Sequence, residues 1–200
     1  MKTLVETILS RKLLDPKVAI YNWLDEHGIK NYTVNDKGEV DVDGNVNLSS
    51  CDLIEIPSFI QFGVVKGYFS CSDNELTSLK GAPKKVGHGF HCSNNKLTSL
   101  VGAPREVGEE FDCSYNNLRD LKGSPEKVKG YFHCSFNNLT TLEGAPKKVG
   151  DDFYCRYNHL TSLEGAPKVV RGIFVCKHNK TQFTEEDVKK VCKVGKDILA

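Results

Sequence analysis

Three things are missing from this 200-residue sequence. Neither sign of charge predominates: 27 Lys and Arg face 26 Asp and Glu, for a formal net charge of +1. No global attraction to nucleic acid, an anionic membrane or an acidic partner is therefore expected, and recognition has to be local. No stretch approaches the roughly 18 apolar residues of a membrane span, so no membrane association is expected. The opening MKTLVETILSRKLLDPK breaks its apolar residues with Glu6, Arg11 and Lys12 and lacks the apolar segment of a secretory signal. A cytoplasmic protein is the expectation. What remains is 39% apolar, enough for one continuous core.

The core has a period. Phe69, Phe90, Phe111, Phe132, Phe153 and Phe174 recur every 21 residues, and so do Cys71, Cys92, Cys113, Cys134, Cys155 and Cys176. An asparagine follows each cysteine at the third place, from Asn74 to Asn179, and leucines such as Leu76 and Leu79 follow it. Gly-Ala-Pro, or Gly-Ser-Pro at Gly123 to Pro125, and a valine close each unit. Phe and Cys two apart share one face of a strand, so successive copies stack rings and thiols inside, where sulfur acts as a small hydrophobe. The asparagine side chain can satisfy backbone groups where the chain leaves the ladder. Glycine allows a positive-φ turn, and proline an extended return path, which predicts an irregular, polyproline-like convex side.

The phrase F-x-C-x-x-N-x-L-x-x-L resembles the leucine-rich-repeat pattern, with Phe and Cys in the inward positions. A single unit cannot stand alone, since ordering its backbone costs about 1–2 kcal/mol per residue against roughly 1.5–3 kcal/mol per buried Phe. Units must stack, and the ends must be capped. The expected fold is thus an α+β repeat solenoid. Residues 1–45 are read as a helical and hairpin cap, 46–180 as one degenerate and about six regular repeats, and 181–200 as a C-terminal cap helix. In the first cap, Leu4 to Leu14 predicts one helix. Asp15 as N-cap, Pro16 in the first turn and Gly28 past the end predict another. Val46 and Leu48 take the Phe and Cys positions of the degenerate repeat, and Cys51 the asparagine position. TEEDVKKVCKVGKDIL predicts a helix N-capped by Thr184.

The cysteines and histidines do not point to chemistry. Neighbouring ladder thiols about 4.8 Å apart with parallel side chains do not suit a disulfide, whose Cβ atoms need roughly 3.5–4.5 Å. His91 beside Cys92, and His133 beside Cys134, point to opposite faces of a strand and cannot converge on zinc. Cys71-Ser72-Asp73 is similar to the Cys-x-Asp of bacterial leucine-rich-repeat ubiquitin ligases, but there the motif sits in a separate helical domain for which this sequence leaves no room after its repeats. Neither enzymatic activity nor a cofactor is expected.

Function in a solenoid lies where repeats differ. The outward columns read Ser70, His91, Asp112, His133, Tyr154, Val175 between Phe and Cys, and Asp73, Asn94, Tyr115, Phe136, Tyr157, His178 just before the asparagine. Strand parity turns Tyr115, Phe136 and Tyr157 outward, with Tyr131, His133 and Tyr154 beside them, as one contiguous aromatic patch on a concave face. The expected partner site comprises Tyr68, His91, Tyr115, Tyr131, His133, Phe136, Tyr154 and Tyr157, bounded by Arg156 and Lys177, and the expected partner is a protein. Cross-strand stacking that only stabilises the sheet is the competing reading. Lys84, Lys85, Arg105, Lys127, Lys147, Lys148 and Lys168, against Glu106 and Glu126 at the same positions, form a ridge on the other side. A solvated face explains them more simply than nucleic acid, which is disfavoured as a partner.

The wording LTSLxGAPxxVGxxFxCSxNxL, joined to WLDEHGIKNYTVNDKGEVDVDGNVNL, resembles leucine-rich-repeat-like accessory proteins of T4-like tailed bacteriophages. The resemblance implies a small accessory protein acting in the bacterial host cytoplasm and brings no activity or catalytic residue; a protein-binding solenoid that captures a host defence or regulatory protein is the leading expectation. A structural or assembly role in the virion is the alternative.

Overall fold

The computed structural model describes residues 16–200. The helix expected over Leu4–Leu14 and the N-cap at Asp15 lie outside the described residues. Helix α1 spans Pro16–Glu26. It ends as its sequence requires: Gly28 adopts φ +64°, and the Ile29 N–H reaches back to the Leu24 carbonyl at 2.9 Å. Ile20, Trp23 and Leu24 bury its inner face, with the Trp23 ring 6.5 Å from Phe62.

Strands β1 (Tyr32–Val34) and β2 (Glu39–Val42) form an antiparallel pair, and the chain then winds into a coil of about eight turns. The next strands are β3 (Val46–Asn47), β4 (Gln61–Val65), β5 (Phe69–Ser70), β6 (Lys85–Val86), β7 (Phe90–His91) and β8 (Glu106–Val107). They continue as β9 (Phe111–Asp112), β10 (Lys127–Val128), β11 (Phe132–His133), β12 (Lys148–Val149), β13 (Phe153–Tyr154), β14 (Val169–Val170) and β15 (Phe174–Val175). After helix α2 (Glu185–Val191) come β16 (Lys193–Val194) and β17 (Ile198–Leu199). Odd strands from β3 to β17 make one parallel eight-stranded sheet, the Phe–Cys sheet. β1, β2 and the even strands from β4 to β16 make a second sheet, of nine strands, the Lys–Val sheet.

The repeat solenoid is therefore present, but its far side is not irregular. The valine that closes each unit points inward, its neighbour (lysine or glutamate, and Val169 in β14) points out, and the pair bonds to its copies in adjacent turns: Lys127 opposite Lys148, Val128 opposite Val149. Proline sits just ahead of these strands, where its missing N–H costs no rung. The glycine before it is needed for its backbone. At Gly102 φ is +98°, and an added Cβ would lie 2.9 Å from the Leu79 carbonyl oxygen.

Between the sheets, Phe69, Phe90, Phe111, Phe132 and Phe153 stack at centroid spacings of 5.2–5.8 Å and are fully buried with the ladder cysteines and leucines. Asparagine does what its place suggested. Asn95 donates through Nδ2 to the carbonyls of Cys71, Cys92 and Ser93, and its Oδ1 accepts the Leu76 N–H at 2.9 Å. Asn116, Asn137 and Asn158 repeat the pattern.

In the first turn Val46 lies opposite Phe69, and the Leu48 N–H is bonded to the Ser70 carbonyl. The carboxy-terminal end differs from a cap helix over 181–200. Helix α2 covers seven residues, opened by a capping box in which Thr184 and Asp187 exchange bonds with each other's backbone. Then β16 and β17 rejoin both ladders, Val170 opposite Val194 and Phe174 opposite Ile198. The helix ends at Val191 because the next residues alternate like a strand: Cys192 is extended and buried, Lys193 exposed.

Candidate functional site

The outer surface of the Phe–Cys sheet is built from two-residue strands, and their brevity changes the site. Strand parity carries no further than Asp112, His133 and Tyr154. Tyr115, Phe136 and Tyr157 lie beyond the strand ends, at a corner where every turn takes a left-handed residue: Asp73, Asn94, Tyr115, Phe136, Tyr157 and His178 have φ of 51–58°. They project outward because of that corner. Asparagine, aspartate and histidine tolerate this conformation; a bulky aromatic there is an outlier that costs energy.

The corner side chains form a ladder. Ring centroids are 4.3 Å apart for Tyr115–Phe136, 4.5 Å for Phe136–Tyr157 and 4.3 Å for Tyr157–His178, with planes within 17° of parallel. Tyr115 is 51% and Tyr157 43% exposed. Because the ring faces cover one another, the strip offers solvent its edges and the two phenol groups. The Arg156 guanidinium carbon lies 5.8 Å from the Phe136 centroid and 5.9 Å from that of Tyr157, holding positive charge over the strip. Lys177 is exposed in the following turn, its carbonyl accepting the Tyr157 N–H. His178 belongs to the ladder too. It was not among the expected site residues, and its place in the same 21-residue column was the signal that could have found it.

Tyr131, His133 and Tyr154 form a second cluster rather than part of the same patch. His133 meets Tyr154 edge-on at 5.2 Å, but among the described residues no ring contact joins this cluster to the corner ladder. Ser114, Ser135 and Arg156 occupy the column between them. Acids tie this cluster down. Tyr154 donates to Asp152 at 2.6 Å, and this bond, with burial, pushes its phenol up to about 12. Burial pushes Tyr131 to about 12 as well, with Asp112 and Glu110 adding to the effect. Asp112 accepts from Ser114 and lies 3.7 Å from His133 Nδ1, and these partners outweigh its burial and hold its carboxyl below the ordinary range. His133 Nε2 and Ser135 Oγ are buried with no hydrogen-bond partner.

The other expected site residues lie apart. His91 is bonded to Glu110 at 3.1 Å. Tyr68 shares a column with Tyr131 but is separated from it by Gly89 and Glu110, and makes no ring contact among the described residues.

All eight cysteines are free, and seven are buried. Burial raises the ladder thiols, Cys71 to about 12 and Cys176 to about 11, and Cys113 donates its S–H to the His133 carbonyl at 3.4 Å. Among the described residues no group of three or more His, Cys, Asp or Glu could hold a metal ion, and no helix is long and apolar enough to cross a membrane. Compared with known proteins, the chain matches no family model, no curated protein and no solved structure.

Proposed function

We propose that this protein is a non-enzymatic binding solenoid that captures a protein partner along the corner ladder Tyr115–Phe136–Tyr157–His178. One observation carries the reading: three consecutive turns place an aromatic at a left-handed backbone position, exposed at Tyr115 and Tyr157 and half-buried at Phe136, where the preceding turns use Asp73 and Asn94. Strained, exposed aromatic positions concentrate where partners bind. Arg156 beside the strip adds an exposed charged group that a partner could engage. Buried thiols with raised pKa speak against a catalytic cysteine.

The repeat wording supports an origin among leucine-rich-repeat-like accessory proteins of T4-like phages. On that reading the partner is a host bacterial defence or regulatory protein met in the cytoplasm. The N-terminal helix and antiparallel β1, together with α2, act as caps on the stack.

Two experiments test this. Replacing Tyr115, Phe136 and Tyr157 together by asparagine removes three ring contacts, worth about 0.5–1.5 kcal/mol each, but relieves left-handed strain of roughly 1–2 kcal/mol per residue. Stability measured by denaturant should therefore fall by no more than about 1.5 kcal/mol, or rise. A loss of several kcal/mol would assign the ladder to folding alone. Second, a photocrosslinking phenylalanine at position 136 in infected cells should give one host-protein adduct, abolished by Tyr115→Asn with Tyr157→Asn. A virion protein in that adduct would favour the assembly role instead.

A further inference from the structure

The Lys–Val sheet carries a feature of its own. Two clefts of about 730 and 430 Å³ adjoin on its outer side and share Lys85, Arg105 and Glu106. Gly87 and Gly108 line the second cleft, and the backbone keeps them free of side chains: a Cβ on Gly87 would lie 1.9 Å from the Lys66 carbonyl oxygen, and one on Gly108 1.7 Å from that of Gly87.

Cations surround this floor. Lys80 lines the first cleft, and Lys127 and Lys129 the second. The two acids there are already engaged, Glu106 by Lys85 at 2.7 Å and Glu126 by Lys147 at 3.3 Å. Among the described residues no carboxylate lies within 4 Å of Lys80, Arg105, Lys127 or Lys129. The row continues through Lys148, opposite Lys127 in the next strand. Each of these turns thus contributes a cation, Lys85, Arg105, Lys127 and Lys148, drawn from two adjacent columns in which Glu106 and Glu126 are the interruptions, over an open backbone floor. On a chain of formal charge +1 this is segregation of charge rather than general basicity.

We infer that this trough binds the sugar–phosphate backbone of a nucleic acid strand without reading its bases. A line of cations over successive turns fits a linear polyanion better than a lone phosphate. No large apolar side chain is exposed in β6, β8 or β10 to insert among lipids, and no aromatic there could stack on a base. The inference is independent of the aromatic ladder on the opposite sheet.

Fluorescence polarisation of the full chain with a labelled mixed-sequence 20-nucleotide DNA, single-stranded and as a duplex, tests it. Binding is expected at 50 mM salt, insensitive to sequence, weakening by roughly 0.7–0.9 in log affinity per contacted phosphate for each tenfold rise in salt. Arg105→Glu with Lys127→Glu and Lys129→Glu should weaken it at least tenfold. The charge-matched set Lys37→Glu, Lys96→Glu and Lys180→Glu should cost less than threefold. Circular dichroism checks that both variants stay folded. Absence of binding, equal losses in the two variants, or equally tight salt-sensitive binding to phosphatidylserine vesicles would overturn the assignment.

Discussion

The two sheets are cut from the same 21 residues, yet they treat their outer surfaces in opposite ways. The Lys–Val sheet presents mostly lysine around glycine, residues that suit an exposed strand and its floor at little conformational cost. The Phe–Cys sheet ends each strand in a left-handed corner, and in three turns fills that corner with an aromatic ring that disfavours it. Inside, the sheets are alike: Phe, Cys, Leu and Val are buried in turn after turn. Burial therefore sets the fold by repetition, and the outer positions are free to diverge.

The comparison breaks most severely if the repeat itself is cut. Deleting residues 111–131 removes one period and leaves every remaining rung in register, so a shortened solenoid should still give a cooperative thermal transition. Deleting ten residues puts the inward positions of both sheets out of phase and should abolish that transition. Equal stability of the two deletions would refute the stacking.

A smaller effect tests whether the Phe–Cys side depends on its asparagines. Asn116→Ala strands the Cys92 carbonyl and the Leu97 N–H inside the core, and should cost about 2–5 kcal/mol in denaturant unfolding. A cost below 1 kcal/mol would show that these groups find other partners.

Gentler still is alkaline pH. The ladder thiols ordinarily titrate near 9, and burial raises them in the fold, Cys71 to about 12; Tyr131 and Tyr154 also rise to about 12. A group whose pKa is raised by folding contributes stability that is complete below its unfolded value and disappears as pH climbs towards the folded one. The unfolding midpoint should hold steady near neutrality and decline from about pH 9 upward. Native thiol labelling at pH 8 should reach Cys51 alone, the one half-buried cysteine among otherwise buried ones. Rapid reaction of the ladder thiols would contradict the inward placement.

Much of this fold was legible because period and parity are properties of a strand ladder. The spacing of Phe and Cys gave the inward face, Val46 and Leu48 gave the degenerate turn, and the asparagines gave the rungs. The second sheet was not visible. Its strands are two residues long, and Lys-Val after a proline reads equally well as an extended return path. Cys192 was assigned to a helix because TEEDVKKVCKVGK keeps an apolar residue every three or four places; pairing with β14 and β15 overrides that pattern. The aromatic column was found with the wrong cause. Parity applies only within a strand, and a single left-handed residue at position 115 or 136 has no mark in the sequence when an aromatic occupies it.

The asparagine rungs also have a direction. Asn95 serves Leu76 and Cys71, which precede it by 19 and 24 residues, and Asn116 does the same for Leu97 and Cys92. Each turn is thus finished by the one after it. During synthesis a turn that has left the ribosome holds buried-to-be backbone groups unmet until about twenty further residues emerge, so ordering of the coil trails the growing chain by one full period. Pulled from its carboxy-terminal end, the same coil should give way turn by turn, each loss withdrawing the latch from the turn before it.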